Sequence, residues 1–196
     1  MRKEKLRIFI AEDEPLILQG FKVMVSSLGH TIIGTAMNGQ DAIDGVPELR
    51  PDLAIMDINM PDVDGLQAIE AINQQVKLPF IVVTGYQDPE LLEKAAQLGV
   101  FGYLPKPVDV CEIRNTIEIA MTRFEEVSKL EKDLADSQNA LKERKLLDRA
   151  KGILMEKMGI SEPQAMKHLQ KLARDRNTRL VVIAQEIINA STLFKL

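Results

Sequence analysis

The stretch Leu6-Arg7-Ile8-Phe9-Ile10-Ala11 runs directly into Glu12-Asp13-Glu14-Pro15, and from Pro15 to Leu28 the apolar spacing turns helical. A short β-rich run that ends in acids and hands over to an amphipathic helix reads as one βα unit. The pattern recurs outward from there. Thr31–Ala36, Leu53–Met56, Pro79–Thr84 and Gly102–Leu104 read as further strands, and Gln40–Leu49, Leu66–Gln74 and Pro89–Leu98 as the helices between them. Punctuation agrees with these boundaries. Asp88 before Pro89 reads as an N-cap followed by proline at the first helical position, and Gly99 sits where a C-cap glycine belongs. Asp109 and Glu112 have the spacing of a capping box for the helix leaving the last strand. Repeated βα units of this size require a parallel sheet covered on both faces and joined by right-handed crossovers. The first 120 residues are expected to form a doubly wound α/β domain.

In such a sheet the functional crevice lies beyond the carboxyl ends of the strands, where the strand order reverses. Strand one ends in Glu12-Asp13-Glu14, strand three in Asp57 and strand four in Thr84-Gly85, and strand five is followed by Lys106-Pro107. Two or three carboxylates, a hydroxyl and an ammonium thus converge on one rim. Clustered carboxylates repel unless a cation neutralises them, and a few hard oxygen ligands completed by water suit Mg²⁺. A carboxylate beside Mg²⁺ and a lysine can attack phosphorus and form an acyl phosphate. Lys106 and Thr84 would then hold the equatorial oxygens. Taken singly, each acid could merely cap a helix and the lysine could be a surface residue. That explanation does not cover four strand ends at once.

The motifs Ile10-Ala-Glu-Asp-Glu-Pro15, Asp57-Ile-Asn-Met-Pro-Asp-Val-Asp-Gly65, Thr84-Gly85 and Tyr103-Leu-Pro-Lys-Pro107 resemble the receiver domain of two-component response regulators. The resemblance covers residues 1 to about 120, with every motif in order. It implies a flavodoxin-like five-stranded parallel sheet with Asp57 as phospho-acceptor. It places Glu12 and Asp13 on Mg²⁺, helped by Asp57 and the main-chain carbonyl of Asn59; Glu12 stands where many receivers have Asp. Thr84 and Lys106 contact the phosphoryl group, Thr84 and Tyr103 form the switch pair, and Lys106–Pro107 is a candidate cis bond. The sequence carries no P-loop and no kinase signature, so the phosphoryl group is expected from a sensor histidine kinase. By the same resemblance the chain is no enzyme towards a separate substrate, beyond its own phosphotransfer and autodephosphorylation.

From Ile113 the helical signal continues without Gly or Pro until Gly152. Val127, Leu130, Leu134, Ser137 and Leu141 alternate by three and four, the seam of a coiled coil interrupted at Ser137. The linker 121–139 is therefore expected to dimerise, a long solvent-bridging helix being the other reading of the same pattern. The remaining residues read as a small bundle of three helices at about 140–158, 162–175 and 179–190, with Gly159 ending the first and Ser161/Gln164 boxing the second. Met155, Met158 and Met166 are expected in its core. Arg144, Lys145, Arg149 and Lys151 cluster on one helix, and Arg174, Arg176 and Arg179 bracket a junction, groupings suited to phosphate contacts. The lone aromatic, Phe194, argues against base stacking. Arg149-Ala-Lys-Gly-Ile-Leu-Met155, with Gly159-Ile-Ser-Glu162, Ala165, Leu169 and Leu180 to Ile188, resembles the ANTAR domain, an RNA-binding antitermination module. Met166 departs from its usual aromatic, and Arg174-Asp-Arg176 from the small residues usual there. The resemblance implies paired domains on tandem stem-loops of leader RNA, so that a terminator hairpin cannot form.

Composition bounds these readings. The 196 residues carry a formal net charge of −4, with 28% charged and one cysteine, so no internal disulfide is possible. No apolar run approaches the roughly 20 residues of a membrane span, and the N-terminal run is too short for a signal peptide, so a cytoplasmic protein is expected. Residues 1–120 hold 10 Lys and Arg against 18 Asp and Glu, whereas 121–196 hold 15 against 11. The sign change points to two modules, an input domain at 1–120 and an output domain at 140–196. Two other functions stay open at this stage. Residues 161–190 could be a DNA-binding helix-turn-helix, although Leu180-Val-Val-Ile-Ala-Gln-Glu-Ile-Ile has almost no side chains able to read a major groove. The chain could also be a phosphorelay or protein-interaction module with a coiled-coil adaptor.

Overall fold

The computed structural model describes residues 5–85 and 89–193. The cap expected at Asp88 and the aromatic Phe194 lie outside the described residues. Five strands, β1 (Arg7–Ala11), β2 (Thr31–Ala36), β3 (Leu53–Asp57), β4 (Phe80–Thr84) and β5 (Val100–Pro105), form one parallel sheet in the order β2-β1-β3-β4-β5. The helices are α1 (Pro15–Ser27), α2 (Gly39–Leu49), α3 (Gly65–Asn73), α4 (Pro89–Gln97), α5 (Val110–Met158), α6 (Glu162–Asp175) and α7 (Leu180–Leu193). Strand order reverses between β1 and β3, so Glu12, Asp13 and Asp57 flank the crevice that such a reversal creates.

The two faces of the sheet are filled by alternate residues of the same strands. Phe9, Ala54, Met56, Phe80 and Val82 pack on one face with Ala42 and Val46 of α2 and with Ala68, Ile69 and Ile72 of α3. Ile8, Ile10, Leu53, Ile55, Ile81 and Val83 pack on the other with Leu18, Phe21 and Val25 of α1 and Ile113, Ile117 and Ala120 of α5. Because both faces are covered, β3 and β4 are buried along their whole length, which explains their continuous apolar sequence. Each fully buried Ile or Phe contributes roughly 2–3 kcal/mol of transfer free energy, enough to hold the rim residues on a rigid platform. β5 starts two residues earlier than its sequence suggests. Val100 pairs with Phe80 across a register shift that precedes the Ile81–Gly102 pair, and Gly102 masks the strand pattern.

The chain divides into two compact units, Met1–Ser128 and Lys129–Leu196, and the boundary falls inside α5. Linker and first bundle helix are thus one uninterrupted 49-residue helix with the last helix of the α/β domain. Its start is boxed by Asp109 and Glu112: Asp109 Oδ1 accepts from the Glu112 amide at 2.9 Å, and the Asp109 amide donates to Glu112 Oε2 at 3.1 Å. In the second unit Ala150, Leu154, Ala165, Leu169, Ile183, Ala184 and Ile188 form a small core. Met155 and Met158, expected in that core, are instead 38% and 50% exposed. At about 100° per residue they fall beside the face that Ala150 and Leu154 turn inward, not on it.

Candidate functional site

The carboxylate rim is built by short, anchored loops. The β3–α3 loop is pinned by buried Ile58 and Met60, by the Ile58 amide on the Val83 carbonyl at 3.1 Å, and by the Gly65 amide on the Ile58 carbonyl at 2.8 Å. Gly65 is required by this closure, since a Cβ there would stand 2.0 Å from the Asp57 carbonyl oxygen. Asp64 and Gln67 then cap α3 reciprocally, Asp64 Oδ1 accepting from the Gln67 amide at 2.8 Å. Gly65 and Asp64 both belong to the receiver-like motif Asp57 to Gly65, but the closure that needs Gly65 and the cap made by Asp64 are not part of what that motif implies for the site. The spacing of Asp64 and Gln67 was the available signal. Across the crevice, the Lys106 amide donates to the Thr84 carbonyl at 2.9 Å and continues the β4–β5 ladder one residue beyond β5. The Lys106–Pro107 bond is cis.

Within this frame Lys106 Nζ lies 2.8 Å from Asp57 Oδ2 and 3.0 Å from both oxygens of Glu12. Asp57 is 3% exposed and Glu12 is fully buried, so the ammonium holds two carboxylates that water cannot reach. Only Glu12 Oε1 is placed to accept its hydrogen bond; Oε2 is buried with no hydrogen-bond partner among the described residues. Burial is the main cause that lifts Glu12 to a pKa of about 7, and the Asp57 charge adds to it against the pull of Lys106. Burial alone would lower the Lys106 pKa, but its hydrogen bonds to Asp57 and Glu12 outweigh that and raise it.

Ligand oxygens of Glu12, Asp13 and Asp57 all lie within 4.8 Å of one another. Once Glu12 has given up its proton, the cluster sets three carboxylates against the one ammonium of Lys106, an excess of two negative charges. An orphaned buried oxygen, hard donors and that excess fit a small divalent cation. Asn59 is exposed beside the cluster, and its amide points to Asp57 Oδ1 at 3.4 Å. Thr84 is buried at the end of β4, and Tyr103 is half-buried against the core, where desolvation raises its pKa.

Of the cations expected to meet RNA, all but Lys151 are exposed, and Arg144, Lys145, Arg149 and Arg174 make no ion pair among the described residues. The other three are engaged within the second unit. Lys151 bridges Asp148 at 2.8 Å and Glu162 at 2.6 Å and is only 17% exposed. Arg176 pairs with Glu186 at 2.7 Å, and Arg179 pairs with Glu143. The sequence spacing that grouped these cations carried no sign of their acidic partners, which are 10 to 36 residues away in three of the four pairs.

The family model of the response regulator receiver domain matches residues 8–118, and that of the ANTAR domain matches residues 135–188. The chain belongs to the response regulators that carry an ANTAR domain. Among curated relatives, this response regulator is 38% identical over 182 residues to the transcriptional regulatory protein PdtaR of Mycobacterium tuberculosis, covering 93% of this chain and 89% of the relative. It is 35% identical over 147 residues to a probable C4-dicarboxylate response regulator, DctR, of Halalkalibacterium halodurans, covering 73% of this chain and 62% of that one. Among solved structures, the signal receiver domain of a modulated diguanylate cyclase from Desulfovibrio desulfuricans G20 is similar with a TM-score of 0.57 at 32% identity, over 61% of this chain and 96% of that one. The receiver domain of the putative response regulator NarL from Mycobacterium tuberculosis is similar with a TM-score of 0.58 at 26% identity, over 61% of this chain and 98% of that one. No helix among the described residues of this response regulator is long and apolar enough to cross a membrane.

Proposed function

We propose that this response regulator accepts a phosphoryl group on Asp57 and, in that state, binds structured leader RNA as a transcription antiterminator. The observation that carries the first half is the Lys106 bridge to Asp57 and Glu12 over a buried, unsatisfied carboxylate oxygen. Asp57 is the nucleophile: its carboxylate oxygen bonds to phosphorus as the donor's leaving group departs. Lys106 orients that oxygen before attack and takes up charge on the transferred group, and the Thr84 hydroxyl at the end of β4 donates to a second phosphoryl oxygen. Glu12, Asp13 and Asp57, with the main-chain carbonyl of Asn59, would hold Mg²⁺, which when bound supplies charge neutralisation at the phosphoryl oxygens. Movement of Thr84 towards the phosphoryl group frees room for Tyr103, a local charge event biasing a two-state element.

The donor in this reading is a sensor histidine kinase, and the setting is the cytoplasm, where kinase and nascent transcript are both in reach. The ANTAR domain supports RNA as the output ligand. Tandem stem-loops fit a dimer, because two linked weak sites gain affinity through effective concentration. Val127, Leu130, Leu134 and Leu141 are exposed along α5 at heptad spacing, and a second copy of this chain is the partner that such a seam fits. The test is filter binding of RNA carrying two tandem hairpins, with protein treated or untreated with acetyl phosphate and Mg²⁺, and duplex DNA as a parallel probe. Retention of RNA that rises on phosphorylation and is lost in Asp57→Asn supports the reading. Retention of DNA alone, or of neither, overturns it.

A further inference from the structure

Gly152 lies inside α5, seven residues before the glycine that ends the helix, and it is exposed. A Cβ built there meets nothing within 4 Å among the described residues, and its backbone is not left-handed. Neither packing nor conformation within the chain asks for glycine at this position, and glycine weakens a helix interior relative to alanine. Ala150 and Leu154 turn into the bundle core, so at about 100° per residue Gly152 sits close to the centre of the opposite face. Lys145 and Arg149, two turns and one turn earlier, are exposed on the same side and make no ion pair among the described residues. Met155, 38% exposed, flanks the glycine, and Glu156 ends the cationic strip one turn further on.

We propose that this outer face of α5, centred on Gly152, is where the sugar–phosphate backbone of RNA lies against the protein. Lys145 and Arg149 neutralise phosphates there, and the missing side chain at Gly152 lets the strand approach the helix backbone. The inference rests on the RNA-binding reading above and deepens it. Charge decides the occupant. Lys145 and Arg149 are exposed cations that no acid among the described residues holds, and Asp148 beside them is already held by Lys151 at 2.8 Å, so the strip before Gly152 carries positive charge for a polyanion to neutralise. A second copy laid parallel would set those cations against their own counterparts. Lys151, clamped between Asp148 and Glu162, is a positioning residue that ties α5 to the start of α6 and leaves the phosphate contacts to its neighbours.

The experiment uses the full chain, phosphorylated with acetyl phosphate, and a fluorescein-labelled pool of tandem RNA hairpins with randomised loops. Gly152→Ala is expected to melt at a higher temperature than the unaltered protein yet bind the pool more weakly. Gly152→Gln is expected to lose at least about tenfold in affinity, and Lys145→Met to reduce the salt dependence of binding by about one ion. Sedimentation of Gly152→Gln without RNA is expected to match the unaltered protein. Affinity of Gly152→Gln within about twofold of the unaltered protein overturns the inference and leaves RNA binding to the Arg174 side. A change of its oligomeric state in place of its RNA affinity also overturns it, assigning the face to a second copy. If the unaltered protein retains none of the pool, the RNA reading and this inference fall together.

Discussion

Replacing Lys106 by methionine isolates the interaction on which the candidate site depends. In the folded protein its ammonium stands between Asp57, 3% exposed, and Glu12, fully buried, at 2.8 and 3.0 Å. Removing one member of a buried ion pair costs about 3–5 kcal/mol, and the partial exposure of Lys106, 20%, reduces that to about 3 kcal/mol at pH 8 without divalent cation. The cost depends on pH in a direction fixed by Glu12. Its folded pKa, about 7, lies above the unfolded value of 4.5. The folded state therefore holds a proton that the unfolded state has released between these values, and Glu12 takes stability away as pH rises through that window. Loss of the lysine raises the Glu12 pKa further, so at pH 5 Glu12 is neutral in the variant and only Asp57 lacks its partner. The penalty then falls to about half its value at pH 8. Lys106 itself, raised in the folded state, contributes throughout this range and is lost only above its unfolded pKa of 10.5. Urea unfolding followed by tyrosine fluorescence reads the first unit selectively, because both tyrosines, Tyr86 and Tyr103, precede position 129 in the sequence and the chain has no tryptophan. An equal penalty at pH 5 and pH 8, or none at either, refutes this account of the cluster.

Other perturbations reach different parts of the account. Mg²⁺ affinity, measured by calorimetry, is expected to fall by up to about tenfold per pH unit below pH 7, because the ion must displace the Glu12 proton; a flat profile from pH 5.5 to 8 contradicts this. Gly65→Ala is expected to destabilise the first unit by about 3 kcal/mol or more, since its Cβ would run into the backbone of Asp57 and Ile58, which cannot swing aside as a side chain can; urea unfolding checks it. Leu134→Lys in the exposed part of α5 should leave the helical circular dichroism of the isolated chain unchanged and shift sedimentation of the phosphorylated protein to monomer.

The α/β half was readable because its strands obey one rule: a run buried on both faces stays apolar until the rim, where Glu12, Asp57 and Thr84 break it. The rim residues could be named from those breaks alone. The sequence did not show the force that joins them. Lys106 lies 49 residues from Asp57 and 94 from Glu12, and only the order β2-β1-β3-β4-β5 brings the three together. The basic half was harder for a physical reason. Surface cations on short helices answer to neighbours from other helices, so Lys151, Arg176 and Arg179 look identical in sequence to Lys145 and Arg149 although acids hold the first three. Helical periodicity also left Met155 and Met158 ambiguous, because methionine on the border of a three-helix core fits either side. The helical signal of the linker agrees with the continuous α5, yet the boundary between compact units, after Ser128, has no turn, proline or glycine to mark it.

Sedimentation velocity of the full chain with labelled RNA bearing two tandem hairpins, before and after treatment with acetyl phosphate, tests the link between the two units most directly. The account predicts co-sedimentation of two chains per RNA after phosphorylation, a weaker complex before it, and no response in Asp57→Asn. Equal binding in all three samples, or no RNA complex in any, contradicts it.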